Sequence, residues 1–188
     1  MNPLVIQDLL FTICDYLTFK QIVKYELVSK YHLKMIRQHP WDQCVKIEKN
    51  NLLLILIERY QLRNLNLSYS NVTDDTVKLL KCHTLNFRCT NVTDESVKLL
   101  KCHSLDLEGT SVTDESVKHL KCHTLNLRST NVTDESVKHL KCHTLNLRWT
   151  KVTDEGVKHL KCHTLSLIGT DVTDETVVLL RNNGTIID

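Results

Sequence analysis

Five Cys-His dipeptides recur along this chain, at Cys82-His83, Cys102-His103, Cys122-His123, Cys142-His143 and Cys162-His163. Cysteine and histidine are the usual ligands of structural zinc, so the pairs raise the question of a metal site. Their adjacency argues against one. Neighbouring residues on a strand point to opposite faces, so Cys122 and His123 on a strand cannot close on a single ion. The cysteines are instead expected to act as small apolar side chains in a buried row, reduced and metal-free. The histidines form a second row, and His119, His139 and His159 a third. Row neighbours sit close enough to disfavour joint protonation, and duplication of one ancestral histidine accounts for the pattern. No nucleophile–base pair, acid pair or glycine-rich phosphate loop is present, and the four glycines are scattered. Neither catalysis nor a cofactor is expected.

What must position these rows is a repeat. Six consecutive copies of a 20-residue unit fill residues 62–181, as CHTLNLRSTNVTDESVKHLK from Cys122 and CHTLNLRWTKVTDEGVKHLK from Cys142 show. A fixed period of this length marks a solenoid. With Cys122 as position 1, Leu125 and Leu127 alternate with Thr124, Asn126 and Arg128, the period of a strand with one buried face. Thr133 offers a hydroxyl N-cap, and Asp134 and Glu135 suit a helix N-terminus. Val137 and Leu140 share a helical face, and the next strand leaves room for about two turns. One such unit cannot bury its own apolar side, so stacking must build a parallel sheet over a shared core. The inward rows are Cys82 to Cys162, Leu85 to Leu165 and Val72 to Val172. Thr90, Thr110, Thr130, Thr150 and Thr170 fall where the chain leaves the sheet, and their hydroxyls are expected to satisfy turn amides.

The unit C-x-x-L-x-L-x-x-T-x-V resembles the leucine-rich repeat pattern L-x-x-L-x-L-x-x-N. The resemblance implies an α/β solenoid of strand–short-helix units in a horseshoe, with a ligand on its concave face. In that row of outward positions the copies differ most, as Ser68-Tyr69, Arg88-Cys89, Glu108-Gly109, Arg128-Ser129, Arg148-Trp149 and Ile168-Gly169. Row neighbours stand ~4.8 Å apart, so Glu108 lies between Arg88 and Arg128 and can pair with either. Arg148 has no acid beside it in the row, and Trp149 follows it, a composition favoured at interface hot spots. Tyr69, Arg88, Glu108, Arg128, Arg148 and Trp149 are the candidate ligand-binding residues, and a carboxylate or phosphate would suit the free guanidinium.

Residues 1–40 do not follow the repeat. Ile6, Leu9, Leu10, Ile13 and Leu17 trace one apolar helical face, Ile22, Val23 and Leu27 a second helix, and Leu33, Met35 and Ile36 a third. This is much apolar surface for about 35 residues, a size that seldom stabilises itself without a partner. Asp8-Leu9-Leu10, Ile13, Tyr16-Leu17, Ile22-Val23 and Leu27-Val28-Ser29-Lys30 fall in register with an F-box, and the segment resembles that family. The resemblance implies a three-helix fold that docks on a Skp-type adaptor subunit through Ile6, Asp8, Leu9, Leu10, Ile13, Leu17, Ile22, Leu27 and Val28. The chain would then be the substrate-recruiting adaptor of a cullin-type ubiquitin ligase, with an unknown protein held on the repeats. The alternative is a stand-alone interaction scaffold whose N-terminal helices only cap the solenoid.

Residues 41–61 read as an irregular first repeat, with Val45 and Ile47 on a strand and Leu52 to Ile57 on a helix. Residues 182–188 abandon the period, and Thr185 to Ile187 are expected to form a last edge strand over the terminal unit. The net charge of +2 gives no electrostatic case for nucleic acid, and the longest apolar run, Leu52 to Ile57, is far short of a membrane span. Asp8 and Asp15 interrupt the N-terminal apolar stretch, which argues against a secretory signal. The expected compartment is the cytoplasm or nucleus, and the Asn-Val-Thr sequons are simply part of the repeat.

Overall fold

The computed structural model describes residue 21, residues 40–48 and residues 50–188. The F-box-like stretch, with the expected Skp-type contacts from Ile6 to Val28, lies outside the described residues. The described chain begins with β1 (Pro40–Lys46), α1 (Asn50–Arg59) and β2 (Gln61–Asn66). One-turn helices and three-residue strands then alternate: α2 (Asp74–Val77), β3 (Thr84–Asn86), α3 (Asp94–Val97), β4 (Ser104–Asp106), α4 (Asp114–Val117), β5 (Thr124–Asn126), α5 (Asp134–Val137), β6 (Thr144–Asn146), α6 (Asp154–Val157) and β7 (Thr164–Ser166). The longer α7 (Asp174–Asn182) and β8 (Ile186–Ile187) close the stack. All eight strands pair parallel in chain order. The register advances by one unit per strand, so Leu65, Leu85, Leu105, Leu125, Leu145 and Leu165 lie side by side.

That register turns sequence rows into core layers. The leucine rows, the Cys82-to-Cys162 row and the valine rows through Val152 and Val157 are buried in one apolar cluster, against which Val172 and Val177 of the last unit pack half-buried. Each buried leucine or valine contributes roughly 1.5–3 kcal/mol relative to exposure, but only because the next unit covers it. The junction resembles a repeat in the same way. Val45 and Ile47 are buried, and α1 extends to Asn50–Arg59, beyond the apolar run that marks it in the sequence. The register shifts between Trp41 and Cys44, so β1 is the irregular member of the sheet.

The turns and helices differ from expectation in three ways. The threonine at position 9 does not serve turn amides. Thr90, Thr110, Thr130 and Thr150 are buried, and each donates its hydroxyl to the carbonyl three residues earlier at 2.6–2.7 Å. The turn amide is taken by position 5 instead: Asn86, Asn126 and Asn146 accept from the backbone N–H of Arg88, Arg128 and Arg148, and Asp106 from that of Glu108. A side-chain oxygen accepting from an amide two residues on mimics a backbone turn. Thirdly, the expected two-turn helix is a single α-turn. After Val137 the chain tightens, with His139 N–H donating to the Ser136 carbonyl and Leu140 N–H to that of Val137.

Four-residue helices are far below the length at which a helix sustains itself. What holds them is a carboxylate passed between units. Asp114 accepts from Thr133 N–H at 2.9 Å, Thr133 Oγ1 at 2.6 Å and Ser136 Oγ at 2.6 Å. Thr133 Oγ1 in turn accepts from Glu135 N–H at 3.3 Å, so one hydroxyl caps its own helix while donating to the preceding one. Asp74 and Asp94 repeat the full pattern. Asp134 and Asp154 keep the two threonine contacts. Burial raises the Asp94 and Asp114 carboxyls, but the hydrogen bonds from the next unit's serine and threonine outweigh it and hold both below the usual carboxylate range.

A folded-state pKa below the unfolded one gives stability that is present above about pH 4 and lost as pH falls through the lower folded value. Thermal stability should therefore decline on acidification below about pH 4. Asp114→Ala should cost about 2–3 kcal/mol by leaving three donors unmatched and flatten part of that decline. A variant as stable as the parent in chemical denaturation would show that the bridge is not what joins the units.

Candidate functional site

The outward face of the sheet carries the variable positions. Position 8 lies in the left-handed region throughout, with φ of 59° at Tyr69, 53° at Cys89, 67° at Gly109, 55° at Ser129, 58° at Trp149 and 75° at Gly169. Glycine is at ease there, whereas a side chain costs roughly 1–2 kcal/mol. Tyr69 and Trp149 hold this conformation while remaining 66% and 57% exposed. Gly169 is required twice, because a Cβ there would meet the Trp149 ring at 2.5 Å. The indole therefore lies against the next unit's backbone with its other side open.

The structure brings Arg88, Glu108 and Arg128 together as the row predicts. Glu108 Oε1 is 3.3 Å from an Arg88 terminal nitrogen and 3.6 Å from Arg128 Nε, with its side chain only 12% exposed. The Glu108 carboxylate, and then Tyr69, raise the Arg88 pKa. The Arg88 guanidinium also sits 6.0 Å from the centroid of the Tyr69 ring. Asn126 Nδ2 donates to Asp106 at 3.0 Å and reaches Glu108 at 3.4 Å.

Arg148 departs from expectation. It is not the unpaired cation of the row, because Asp188 folds back to within 3.8 Å of its guanidinium. Asp188 also accepts from Ser166 Oγ. The carboxylate that neutralises Arg148 lies 40 residues on (188 − 148), outside the repeat, so the period contains no signal for it. Ser68 is the other exception, buried where its counterparts in later units are more open. The asparagines at position 5 gave a sequence signal in their near-constancy, which the turn geometry explains. With three arginines set against Asp106, Glu108 and Asp188, the face is charge-balanced, and what it presents is aromatic.

Cys122 and His123 precede β5 rather than lie on it, yet they still diverge: the cysteine row is closed to solvent, Cys122 being 3% exposed, while His123 beside it is exposed. The Cys-His pairs thus do not converge, and among the described residues no three histidine, cysteine or acidic groups gather to hold a metal ion. Cys82 donates to the Leu62 carbonyl at 3.1 Å, and Cys102 and Cys122 sulfurs stand 3.9 Å apart. Burial pushes the Cys82 and Cys142 thiols up to about 12 and Cys162 to about 11. The five exposed imidazoles His83 to His163 stack in one column with centroids 4.6 Å apart.

Residues 143–161 match the family model of the Leucine Rich repeat. The match spans one unit, and the same pattern recurs in the neighbouring copies. A parallel sheet of eight strands alternating with short helices fits a leucine-rich-repeat solenoid. No curated protein matches the chain. Among the described residues no helix is long and apolar enough to cross a membrane.

Two outcomes follow from this geometry. Trp149→Gly should alter stability by less than about 1 kcal/mol, because relief of the left-handed backbone offsets the lost ring contact. A much larger loss in thermal denaturation would make Trp149 a packing residue rather than a recognition one. In native protein a thiol reagent should modify the exposed Cys44 and Cys89 quickly, while Cys82, Cys102, Cys122, Cys142 and Cys162 react only through unfolding. Mass spectrometry showing fast modification of the buried row would refute the packing described.

Proposed function

We propose that this chain is a non-catalytic protein-interaction scaffold that holds a protein partner on its sheet face, between Tyr69 and Trp149. In the finer reading, residues 1–40 couple that scaffold to a cullin-type ubiquitin ligase through a Skp-type subunit, in the cytoplasm or nucleus. The first part rests chiefly on the two aromatics kept exposed in a strained backbone, at opposite ends of a charge-balanced arginine–carboxylate cluster. Large rigid aromatics beside arginine are the residues that dominate interface energetics. The second part rests on the F-box resemblance of the segment from Ile6 to Lys30 and on the repeats that follow it.

The two parts separate experimentally. The tagged full chain, recovered from a eukaryotic lysate, should carry Skp-type and cullin subunits together with a further protein. Tyr69→Gly with Trp149→Gly should release the further protein and retain the ligase subunits. Leu9→Asp with Leu10→Asp should do the reverse. A folded chain that never retains a Skp-type subunit would end the ligase reading and leave the scaffold. Retention of every partner by the aromatic double variant would remove the sheet face from the interface.

A further inference from the structure

The net charge of +2 hides an uneven distribution. The first five units carry lysine at two positions, and the two rows have different fates. Lys98, Lys118, Lys138 and Lys158 pair with Glu95, Glu115, Glu135 and Glu155 at 2.6–3.2 Å. The row one position before the buried cysteines, Lys81, Lys101, Lys121, Lys141 and Lys161, is exposed and forms no ion pair among the described residues. This row runs along the edge where the strands begin. The stacked histidine column His83 to His163 runs beside it, with His119, His139 and His159 on the adjoining helix ends. Shallow grooves along this edge are lined by members of this lysine row, by histidines in all but the first, by Arg63 at the N-terminal end and by the acid-paired Lys78, Lys98 and Lys158, and no acid lines these grooves.

We propose that this edge is a second binding surface, for an acidic protein segment carrying interspersed apolar residues, and that protonation of the histidine column strengthens the binding. Charge complementarity sets the sign of the ligand. Two features select a polypeptide over a nucleic acid. The imidazole faces are already occupied by one another, so the column offers ring edges and no platform on which bases could stack. The grooves also expose leucine among the cations, with Leu79 and Leu99 59% and 58% exposed. Such a floor suits apolar side chains between carboxylates.

The pH dependence follows from the same geometry. Loss of hydration between the stacked rings lowers the His123 pKa, and repulsion from His103 and His143 lowers it further. Among the described residues, the charged groups lining the grooves beside the column are lysines, histidines and Arg63, and no carboxylate lines those grooves to stabilise an imidazolium. A bound acidic segment supplies that carboxylate, so proton uptake and ligand binding favour each other.

The test uses the full chain with a fluorescent oligoglutamate peptide containing leucines as probe, and a single-stranded oligonucleotide of equal charge as competitor. Binding should be at least about tenfold tighter near pH 5.5 than near pH 7.5 and should weaken steeply with salt. Lys101→Gln, Lys121→Gln and Lys141→Gln together should weaken it at both pH values, and His103→Gln with His123→Gln and His143→Gln should remove the pH dependence. Unchanged melting temperatures would confirm that these exposed substitutions leave the fold intact. Tyr69→Gly with Trp149→Gly should leave peptide binding unaltered, which separates this edge from the sheet face. Failure of the peptide to bind at either pH, indifference to the lysine substitutions, or preference for the oligonucleotide would each overturn the proposal.

Discussion

The carboxylate that reaches from one unit to the next is the contact on which the solenoid depends. A helix of four residues and a strand of three have too few internal hydrogen bonds to persist alone. The Asp114-type bridge joins the start of one helix to the cap of the next, and the leucine register does the same for the strands. Both links run between neighbours only, so the stack behaves as a chain of nearest-neighbour couplings with weak elements and strong interfaces. Position 156 shows how local the coupling is. There glycine replaces the serine donor, and the Asp134 carboxylate moves into the vacated space, where an added Cβ would stand 2.3 Å from Oδ1. The two threonine contacts persist, so a unit can lose one of three bonds without losing its place in the stack.

Much of this fold was legible in the sequence, because rows that recur every 20 residues translate directly into layers. The buried cysteine, leucine and valine rows, the Thr133 cap and the terminal strand at Ile186–Ile187 all follow from period and polarity. What escaped reading has a common cause. The Asp114 bridge, the Thr90 hydroxyl donating to a carbonyl and the Asn86 turn each depend on which way a short polar side chain rotates, and residue type does not fix that. Arg148 was misread for a different reason: its counter-ion, Asp188, arrives from outside the repeat. The charged edge also escaped, because summing charge over the chain discards its position.

The candidate site on the sheet face is similarly half legible. The Arg88–Glu108–Arg128 cluster follows from register alone. The left-handed backbone at position 8 does not, and it changes the weight of the aromatics found there. Gly109 and Gly169 are the relaxed solutions for this turn. Tyr69 and Trp149 are not, and their side chains return little core burial for the strain. A residue kept in an unfavourable conformation for so little core burial supports the recognition role proposed for this face.

The two surfaces also differ in how they handle charge. On the sheet face each arginine meets a carboxylate of the chain itself, so a partner there must displace or bridge existing pairs. In the proposed reading its net electrostatic gain is small, and contact area with Tyr69 and Trp149 would supply the affinity. Along the strand-start edge the lysine row forms no ion pair among the described residues, and each added unit of this kind extends that row. Duplication of a unit therefore enlarges the two surfaces differently. Every new copy adds a fixed increment of positive charge to the edge, whereas it adds to the sheet face only what its variable positions 7 and 8 happen to carry. Expansion by near-identical copies thus lengthens the cationic edge without any further selection, while the proposed specificity of the sheet face would arise only as the copies diverge.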